Sequence, residues 1–375
     1  MIIREVLGTN SVLNTQQRPG IARSFIQGAG KMSSSQPSLQ LPDRRLEVVI
    51  IETIVCVAMN IISIMGNTLV CLAVYKNSKL RSTTNLYIIA LALSDLLCAT
   101  VEMPLASAVL ITGKWDFSDA LCEIQGFVDV FVTNVTPAIM GLTAFNRYMR
   151  IVKTHHYNKI FSPCRSKIWL SVVWISLALY VIVARVTNWN KFEFVPGYAV
   201  CSVVFTTMEK RITHYCVVWA LFLVLPISIA FFSYYKITKK VNQHKVDVAP
   251  SLELNATNRA GRGLSVQEIK LCRVLSYVVA GFLLCWVPMW LFIFWKRFSP
   301  DTAPRGIQLS AIFLLFLSST INPFIYAATN RKFRDEFYKL LCWWKVRQLA
   351  SEVDPVAEIR NVHNEGVEQR DESNV

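Results

Sequence analysis

Charged side chains interrupt the long apolar stretches of the sequence, among them Asp95, Glu102, Asp129 and Arg147. A charge in the core of a bilayer costs about 3 kcal/mol or more unless it faces a protein interior or water, so such residues usually pair, bind an ion or bind a ligand. The three carboxylates are therefore candidates for holding a cation. Arg147 and the aromatic Tyr148, at the end of their stretch, indicate a switch that contacts a cytoplasmic partner.

The composition indicates the membrane that must surround these charges. The chain is 53% apolar and only 17% charged, with a mean hydropathy of +0.38, whereas soluble domains are about 25% charged. A membrane helix needs about 20 apolar residues. Stretches of roughly this kind run over Val48–Tyr75, Leu86–Ile111, Leu121–Ile151, Ile168–Val186, Ile212–Ile237, Val274–Trp295 and Ile307–Ala328. They predict an all-α membrane protein with an outer tail at 1–46, a seven-transmembrane helix bundle at 47–342 and an inner tail at 343–375.

The net charge of +14 is explained by topology rather than by a nucleic-acid partner. Lysines and arginines concentrate in the loops after the first, third and fifth stretches and after the seventh. Positively charged loops stay in the cytoplasm, which predicts a multi-pass plasma-membrane protein with its N-terminus outside. The first 31 residues lack the apolar core of a signal peptide, so we expect the first helix to act as the signal anchor whether the chain starts at Met1 or at Met32.

Each stretch also carries a polar, kinking or bulky residue that a simple anchor does not need. The series consists of Gly66-Asn67, Leu93-Ser94-Asp95, Asn146-Arg147-Tyr148, Trp174, Pro226 with Tyr234, Cys285-Trp286-x-Pro288, Asn322-Pro323-x-x-Tyr326 and Phe333-Arg334. With these motifs the chain resembles the rhodopsin-like G-protein-coupled receptors over all seven helices and a short amphipathic eighth helix. Its general pattern is nearest to the melatonin and amine receptors. The resemblance implies a non-enzymatic receptor that binds an extracellular ligand and activates a heterotrimeric G protein.

The resemblance also implies which residues form the switch. Pro226, Pro288 and Pro323 each remove a backbone hydrogen bond and kink a membrane helix, so the inner halves of the helices can swing. Asn146 replaces the family's usual acid, which leads us to expect an Arg147–Glu268 pair as the main lock. Pro137, where the family commonly has a branched aliphatic residue, has no assigned role. The expected coupling and switch residues are Arg147, Tyr148, Glu268, Tyr234, Asn322, Pro323 and Tyr326.

Asp95 in the second stretch resembles the centre of the family's sodium and water pocket. The resemblance places four polar residues around it: Asn67, Thr136, Ser319 and Asn322. A neutral Asp95 held by hydrogen bonds is the alternative. Ser318 and Thr136 differ from the family's usual asparagine and serine, which weakens the expectation of a sodium ion.

The candidate ligand pocket lies in the outer half of the bundle. Asp129 follows Cys122 by seven residues, or about two turns, and matches the aspartate that holds the cation in amine receptors, although an ion pair with Arg185 is the alternative. Helix five lacks the serines of catecholamine receptors, so we expect a hydrophobic amine or a basic peptide, with a neutral melatonin-type ligand as the alternative. The expected ligand-binding residues are Asp129, Glu102, Thr133, Trp286, Trp290 and Phe316. Phe316 occupies the position of the retinal-linking lysine of opsins, so no retinal is expected, and no cofactor other than sodium.

A disulfide and a hairpin are expected to cover this pocket. The exterior is oxidising, so Cys122 and Cys201 are the natural pair. The segment Lys191–Ser202 alternates in polarity around Pro196-Gly197 and predicts a β-hairpin that lies over the pocket as a lid.

Other partners follow from the tails and the inner loops. The terminus Ser373-Asn374-Val375 has the form of a PDZ ligand, and the basic loop containing His155-His156 favours contact with anionic lipid. An ion-coupled transporter is the rival class, but transporters usually show repeated halves, and the sequence has no internal repeat.

Overall fold

The computed structural model describes residues 39–248, 266–298 and 303–353. Met32 and Ser373–Val375 lie outside these ranges. The seven predicted stretches all form helices: α1 Leu46–Lys76, α2 Thr83–Thr112, α3 Asp119–Ile151, α4 Pro163–Val186, α5 Met208–Val248, α6 Val266–Phe298 and α7 Arg305–Thr329. The eighth helix, α8, spans Arg331–Val353 and at 23 residues is longer than the short helix expected from the sequence.

The helices have the length and composition of membrane spans. Within the described residues, six helices are long and apolar enough to cross a bilayer, and α6 contributes a further apolar segment, Val279–Ile293. The fourth apolar stretch begins at Ile168, because polar residues precede it in the sequence. In the structure α4 begins five residues earlier, at Pro163. The Ser162 side chain accepts a hydrogen bond from the Arg165 N–H and caps this extra turn, in which Pro163 is the first residue.

Helix α3 is the central helix of the bundle. In its most apolar window 78% of the residues are buried, compared with 17% for α1 and for α4. Lipid-facing helices need only one packed stripe, whereas a helix surrounded by others is buried all round. Residues on most faces of α3 therefore point into the protein, which is why this helix can carry both an outer acid and an inner arginine.

Two helices contain a wider π turn, and each π turn precedes a proline. Cys98–Glu102 forms one in α2, before Pro104, and Trp219–Val224 forms the other in α5, before Pro226. A proline has no N–H to donate to the carbonyl four residues earlier, and the helix accommodates this with bonds between residues five apart. The Met103 N–H accordingly donates to the Cys98 carbonyl. Glu102 is the last residue of the π turn in α2.

The predicted hairpin is confirmed. Strands β1, Lys191–Val195, and β2, Val200–Val204, pair antiparallel, with Phe194 opposite Cys201. The disulfide Cys122–Cys201 is also present. A Cβ on Gly126 of α3 would lie 2.5 Å from the Phe192 ring, so this glycine is what allows the hairpin to approach α3 so closely.

The segment before α1 is fastened to the same end of the bundle. The Leu41 N–H donates to the Gly113 carbonyl at 2.7 Å, and the Trp115 N–H donates to the Leu39 carbonyl at 2.8 Å. Glu52 of α1 accepts hydrogen bonds from Arg44 at 3.0 Å and from Arg305 of α7 at 2.6 and 2.8 Å. This arginine–glutamate–arginine cluster joins the N-terminal segment, α1 and α7.

Candidate ligand pocket and inner switch

A cavity of about 70 Å³ lies between α3, α5, α6, α7 and the hairpin. Asp129 and Thr133 of α3 line it together with Trp290 of α6, and the hairpin contributes Ser202. Among the residues that line this cavity there is no lysine or arginine. The cavity therefore carries a carboxylate within an aromatic and aliphatic wall, which is the arrangement that favours a cation with an apolar body.

Asp129 is only 7% exposed, and the Ser202 hydroxyl donates a hydrogen bond to its Oδ2 at 2.5 Å. The hairpin reaches this depth because the Cys201 N–H also donates to Gln125 Oε1 at 2.8 Å. The lid expected from the sequence thus contacts the proposed anchor directly.

The alternative prediction, an ion pair between Asp129 and Arg185, is wrong. Arg185 makes a two-pronged contact with Glu123, with distances of 2.6 to 3.1 Å between its nitrogens and the carboxylate oxygens. Both side chains are about a third exposed, so the pair forms at the outer rim. Glu123 lies six residues from Asp129 along α3, and the arginine is satisfied there.

Three of the expected ligand residues do not line the cavity. Glu102, Trp286 and Phe316 are fully buried outside its lining. Both Glu102 carboxylate oxygens are buried and without a hydrogen bond to the described residues, while the Glu102 carbonyl accepts from Gln125 at 3.3 Å. Trp286 stacks on Phe282 with ring centroids 4.6 Å apart, so it lies below the cavity and next to Pro288.

Sequence reasoning missed several lining residues: Tyr198, Ser202, Val203, His214, Tyr215 and Met289. A signal for Ser202 was available, because the residue after a cysteine that is bonded to α3 must lie against α3. His214 had no such signal, since its position depends on how α5 packs beside α4.

Around Asp95, two of the four expected neighbours approach the carboxylate. The Asn322 side-chain amide donates to Asp95 Oδ2 at 2.9 Å, and the Ser319 hydroxyl also hydrogen-bonds to this carboxylate. Asn67 instead donates to the backbone carbonyls of Ser63 and Ser319, both at 3.0 Å. Thr136 is buried at 3% exposure. The buried acid thus joins α2 to α7, and Asn67 joins α1 to the backbone of α7.

At the inner end of α3, Arg147 is 1% exposed. Asn146, which replaces the acid expected of the family, donates to the Tyr157 hydroxyl at 3.4 Å, and the Arg150 guanidinium lies 5.2 Å from the Tyr157 ring centroid. Tyr157 belongs to a short helix, Thr154–Ile160, in the second inner loop. The side chain of Glu268 lies outside the described residues, so the expected Arg147–Glu268 pair stays a prediction.

The remaining switch residues pack within the lower bundle. Tyr326 is 1% exposed and its ring lies 5.8 Å from that of Phe333 in α8. A Cβ on Gly66 would lie 2.7 Å from the Pro323 ring, so α1 contacts α7 at its proline. Tyr148 packs on Phe232 of α5 with ring centroids 5.6 Å apart.

Seven membrane helices around a buried arginine and a lidded outer cavity define a seven-transmembrane receptor. The family described as "7 transmembrane receptor (rhodopsin family)" matches residues 66–326. The chain therefore belongs to the rhodopsin family of seven-transmembrane receptors. Membership of this family confirms the predicted fold class and the prediction of a G-protein-coupled receptor that is not an enzyme. The transporter alternative is not favoured.

Comparisons with individual proteins agree. The octopamine receptor beta-2R of Drosophila melanogaster is 27% identical over 339 residues, covering 78% of this chain and 62% of the relative. The human histamine H2 receptor is 26% identical over 299 residues, covering 77% and 79%, and the mouse melatonin receptor type 1B is 27% identical over 303 residues, covering 78% and 79%. The crystal structure of squid rhodopsin matches with a TM-score of 0.71 at 24% identity, over 82% of this chain and 91% of that one.

Proposed function

We propose that this protein is a plasma-membrane receptor for a cationic amine and that Asp129 holds the amine. The observation that carries the proposal is the buried Asp129 carboxylate at a cavity whose lining holds no lysine or arginine. A buried negative charge without an opposite charge is costly, and a ligand cation supplies that charge. The octopamine and histamine receptors among the relatives are named for amines, which supports the same ligand class.

The orientation of the receptor is part of this proposal. The Cys122–Cys201 disulfide belongs on the oxidising outer side of the membrane. The Leu39–Leu41 segment pairs with Gly113 and Trp115 at that same end, and the basic loops lie at the opposite end. These features support an extracellular N-terminus, with residues 1–46 as the outer tail, 47–342 as the receptor domain and 343–375 as the inner tail.

The size of the cavity implies that binding moves the hairpin or the helices around it. Small-molecule sites have volumes of about 300 Å³ or more, whereas the cavity at Asp129 is about 70 Å³. The Ser202 hydroxyl occupies one oxygen of the carboxylate that the amine must reach. An amine that binds Asp129 therefore competes with Ser202 for this carboxylate.

The proposal is tested by G-protein activation in cells that express the wild type, Asp129→Asn or Ser202→Ala, against octopamine, histamine and a panel of related amines and basic peptides. Loss of the ion pair in Asp129→Asn is expected to weaken an active amine at least 100-fold, because a charged hydrogen bond contributes about 1.5–3 kcal/mol and the full ion pair more. Ser202→Ala is expected to preserve or strengthen the response. Glu123→Gln removes another acid of α3 and serves as the control for surface expression and basal signalling.

An active ligand with equal potency on wild type and Asp129→Asn would contradict the proposal. A response to melatonin but to no amine would do the same and would favour the neutral lipophilic ligand.

We further propose that the inner end of α3 couples to a heterotrimeric G protein through Arg147 and Tyr148, with Tyr234, Asn322, Pro323 and Tyr326 taking part in the switch. The burial of Arg147 supports a resting state in which the G-protein contact is hidden. Glu268→Ala is expected to raise basal signalling if Glu268 restrains Arg147, and Glu268→Gln should act in the same direction. Unchanged basal signalling in both variants would remove Glu268 from the lock.

Sodium binding at Asp95 is a finer proposal, supported by the oxygen-bearing neighbours Ser319 and Asn322. Sodium is expected to lower agonist affinity in the wild type and to have no effect in Asp95→Asn. A sodium effect that survives in Asp95→Asn would place the ion elsewhere. Contacts of the basic inner loops with anionic lipid, and of the C-terminus with a PDZ domain, stay predictions.

A further inference from the structure

Glu102 is a buried acid of α2 that the proposed amine site does not use. Its side chain is 0% exposed, and neither of its carboxylate oxygens has a hydrogen-bond partner among the described residues. An unsatisfied polar group in a protein interior is costly and calls for an explanation. In membrane helices such an acid usually serves a function rather than stability. Glu102 is therefore a candidate for contact with a positively charged group of a ligand.

Glu102 lies against the face of α3 that carries Asp129. The Gln125 side chain donates a hydrogen bond to the Glu102 backbone carbonyl at 3.3 Å. Gln125 and Asp129 are four residues apart, which places them on one face of α3. The carboxyl groups of Glu102 and Asp129 also interact with each other electrostatically. The two acids therefore approach each other where α2 contacts α3.

The two acids have no compensating positive charge within the protein. Asp129 is 7% exposed, and its hydrogen-bond partner is the neutral Ser202 hydroxyl. In the part of the chain that the structure describes, no ion pair includes Glu102 or Asp129. Two ionised carboxylates at close range in an apolar interior repel each other strongly. One ammonium group of a ligand neutralises only half of this charge, whereas two ammonium groups neutralise all of it.

A divalent metal ion fits these two acids less well than an organic dication does. Calcium takes about six to eight oxygen ligands. Among the described residues there is no group of three or more histidine, cysteine, aspartate or glutamate side chains that could hold a metal ion. The cavity beside Asp129 is lined instead by apolar and aromatic side chains such as Val130, Trp290 and Leu315. Such walls favour the methylene chain of an organic ligand.

We propose that Glu102 forms a second cation subsite and that the receptor binds an aliphatic diamine, with one ammonium group at Asp129 and the other at Glu102. This inference rests on the proposed function, because it takes Asp129 as the first amine anchor. Packed helices have axes about 8–10 Å apart, and the two side chains occupy part of this distance, so about three to five methylene groups span the carboxylates. Because Glu102 lies outside the cavity lining, the enlargement that an amine requires is directed toward α2.

The test compares diamines with monoamines of the same chain length on the purified full-length receptor. Putrescine and cadaverine are titrated beside butylamine and pentylamine, and binding is followed by the rise in Tm. On the wild type, a diamine should reach half of its full effect at a concentration about 100-fold lower than the matching monoamine, because a second close charge pair couples strongly. Glu102→Gln should weaken diamine binding about 100-fold and monoamine binding by no more than about threefold, since it removes only the second pair.

Two further variants separate a ligand contact from a structural role. Glu102→Asp keeps the charge but shortens the side chain, so it should keep the preference for diamines and shift it from putrescine toward the longer cadaverine. A Glu102 that only supports the fold gives no reason for such a shift. Glu123→Gln removes an acid of α3 that is paired with Arg185 at the outer rim, and it should leave the preference unchanged.

Equal effects of diamines and matching monoamines on the wild type would overturn the proposal, and this comparison depends on no variant. A preference for diamines that Glu102→Gln retains would also overturn it, because the second ammonium group would then bind elsewhere. Stabilisation by calcium chloride that Glu102→Gln abolishes, without a preference for diamines, would overturn it in favour of a metal ion. If octopamine or histamine binds through Asp129 while no diamine exceeds its monoamine, the second subsite fails and the proposed function stands.

Discussion

The cluster formed by Arg44, Glu52 and Arg305 should be a main source of stability at the outer end of the bundle. Glu52 accepts three hydrogen bonds from the two guanidinium groups. The side chains of Arg44, Glu52 and Arg305 are only 7%, 13% and 17% exposed. Glu52→Ala would leave two poorly hydrated arginines next to each other, with no carboxylate between them.

The size of the effect follows from these contacts. Removing one partner of a buried ion pair costs about 3–5 kcal/mol, much of it from the charge left behind. Arg44 keeps its bond to the Leu110 carbonyl at 2.9 Å, and the cluster retains some water contact, so we take the lower end, about 3 kcal/mol. At about 2 °C per kcal/mol for a domain of this size, Glu52→Ala should lower the Tm by about 6 °C.

The assay is thermal unfolding of the purified receptor in detergent, followed by the reactivity of its buried cysteines. Asp116→Asn is the matched control, because Asp116 forms an ion pair with Lys114 at 2.8 Å in which the side chains are 54% and 50% exposed. Exposed pairs contribute about 0–1 kcal/mol, so this variant should change the Tm by about 2 °C at most. Arg305→Gln should be destabilised like Glu52→Ala, and the double variant should lose less than the sum of the two.

Equal Tm values for Glu52→Ala and Asp116→Asn would refute the reasoning. So would strictly additive losses in the double variant, because they would mean that Glu52 and Arg305 stabilise the fold independently.

Three further outcomes are expected. Cys201→Ser should abolish surface expression, measured by antibody labelling of intact cells. The disulfide bridges residues 79 positions apart, and such a cross-link contributes about 4.5 kcal/mol to stability in the chain-entropy view. Surface expression at the wild-type level would contradict this. Gly126→Ala should lower the Tm, since its Cβ would lie 2.5 Å from a hairpin phenylalanine, whereas Gly306→Ala, with nothing within 4 Å, should be neutral; equal shifts would remove the steric explanation. In α8, the hydrogen bond from Lys339 holds the pKa of Glu336 below its usual 4.5. The stabilisation of the fold by this carboxylate is therefore complete above about pH 4.5 and is lost as the pH falls through the lowered pKa. Glu336→Gln should remove this part of the pH dependence of the Tm, and a Tm profile like that of the wild type would show that the dependence has another origin.

The helices were predictable because membrane physics leaves a strong pattern in the sequence. Apolar length, interrupting prolines and the distribution of lysine and arginine predicted seven spans, and each lies where expected to within a few residues at most ends. The disulfide and the hairpin were predictable for local reasons, since Cys122 and Cys201 are the outer cysteines and Pro196-Gly197 supports a turn.

The side-chain partners were less predictable because they depend on helix rotation and on loop depth. Arg185 was a reasonable partner for Asp129 by depth, but the nearer Glu123 on the same helix binds it. Asn67 was expected beside Asp95 and instead bonds the backbone of α7. Neither choice can be read from spacing alone, because several partners at the same depth satisfy the same pattern.

The distribution of tight contacts suggests where movement begins when a ligand binds. The outer end is fixed by the disulfide, by the close approach at Gly126 and by the Glu52 cluster. Farther in, a cavity of about 240 Å³ lies between α3, α5 and α6, where Pro137, Pro226 and Phe282 meet. Packed interiors resist gradual deformation and change between discrete arrangements, so helices move most easily where such space adjoins a proline kink. Phe282 stacks on Trp286, close to the kink at Pro288. A small displacement at the ligand cavity therefore has a route into this space.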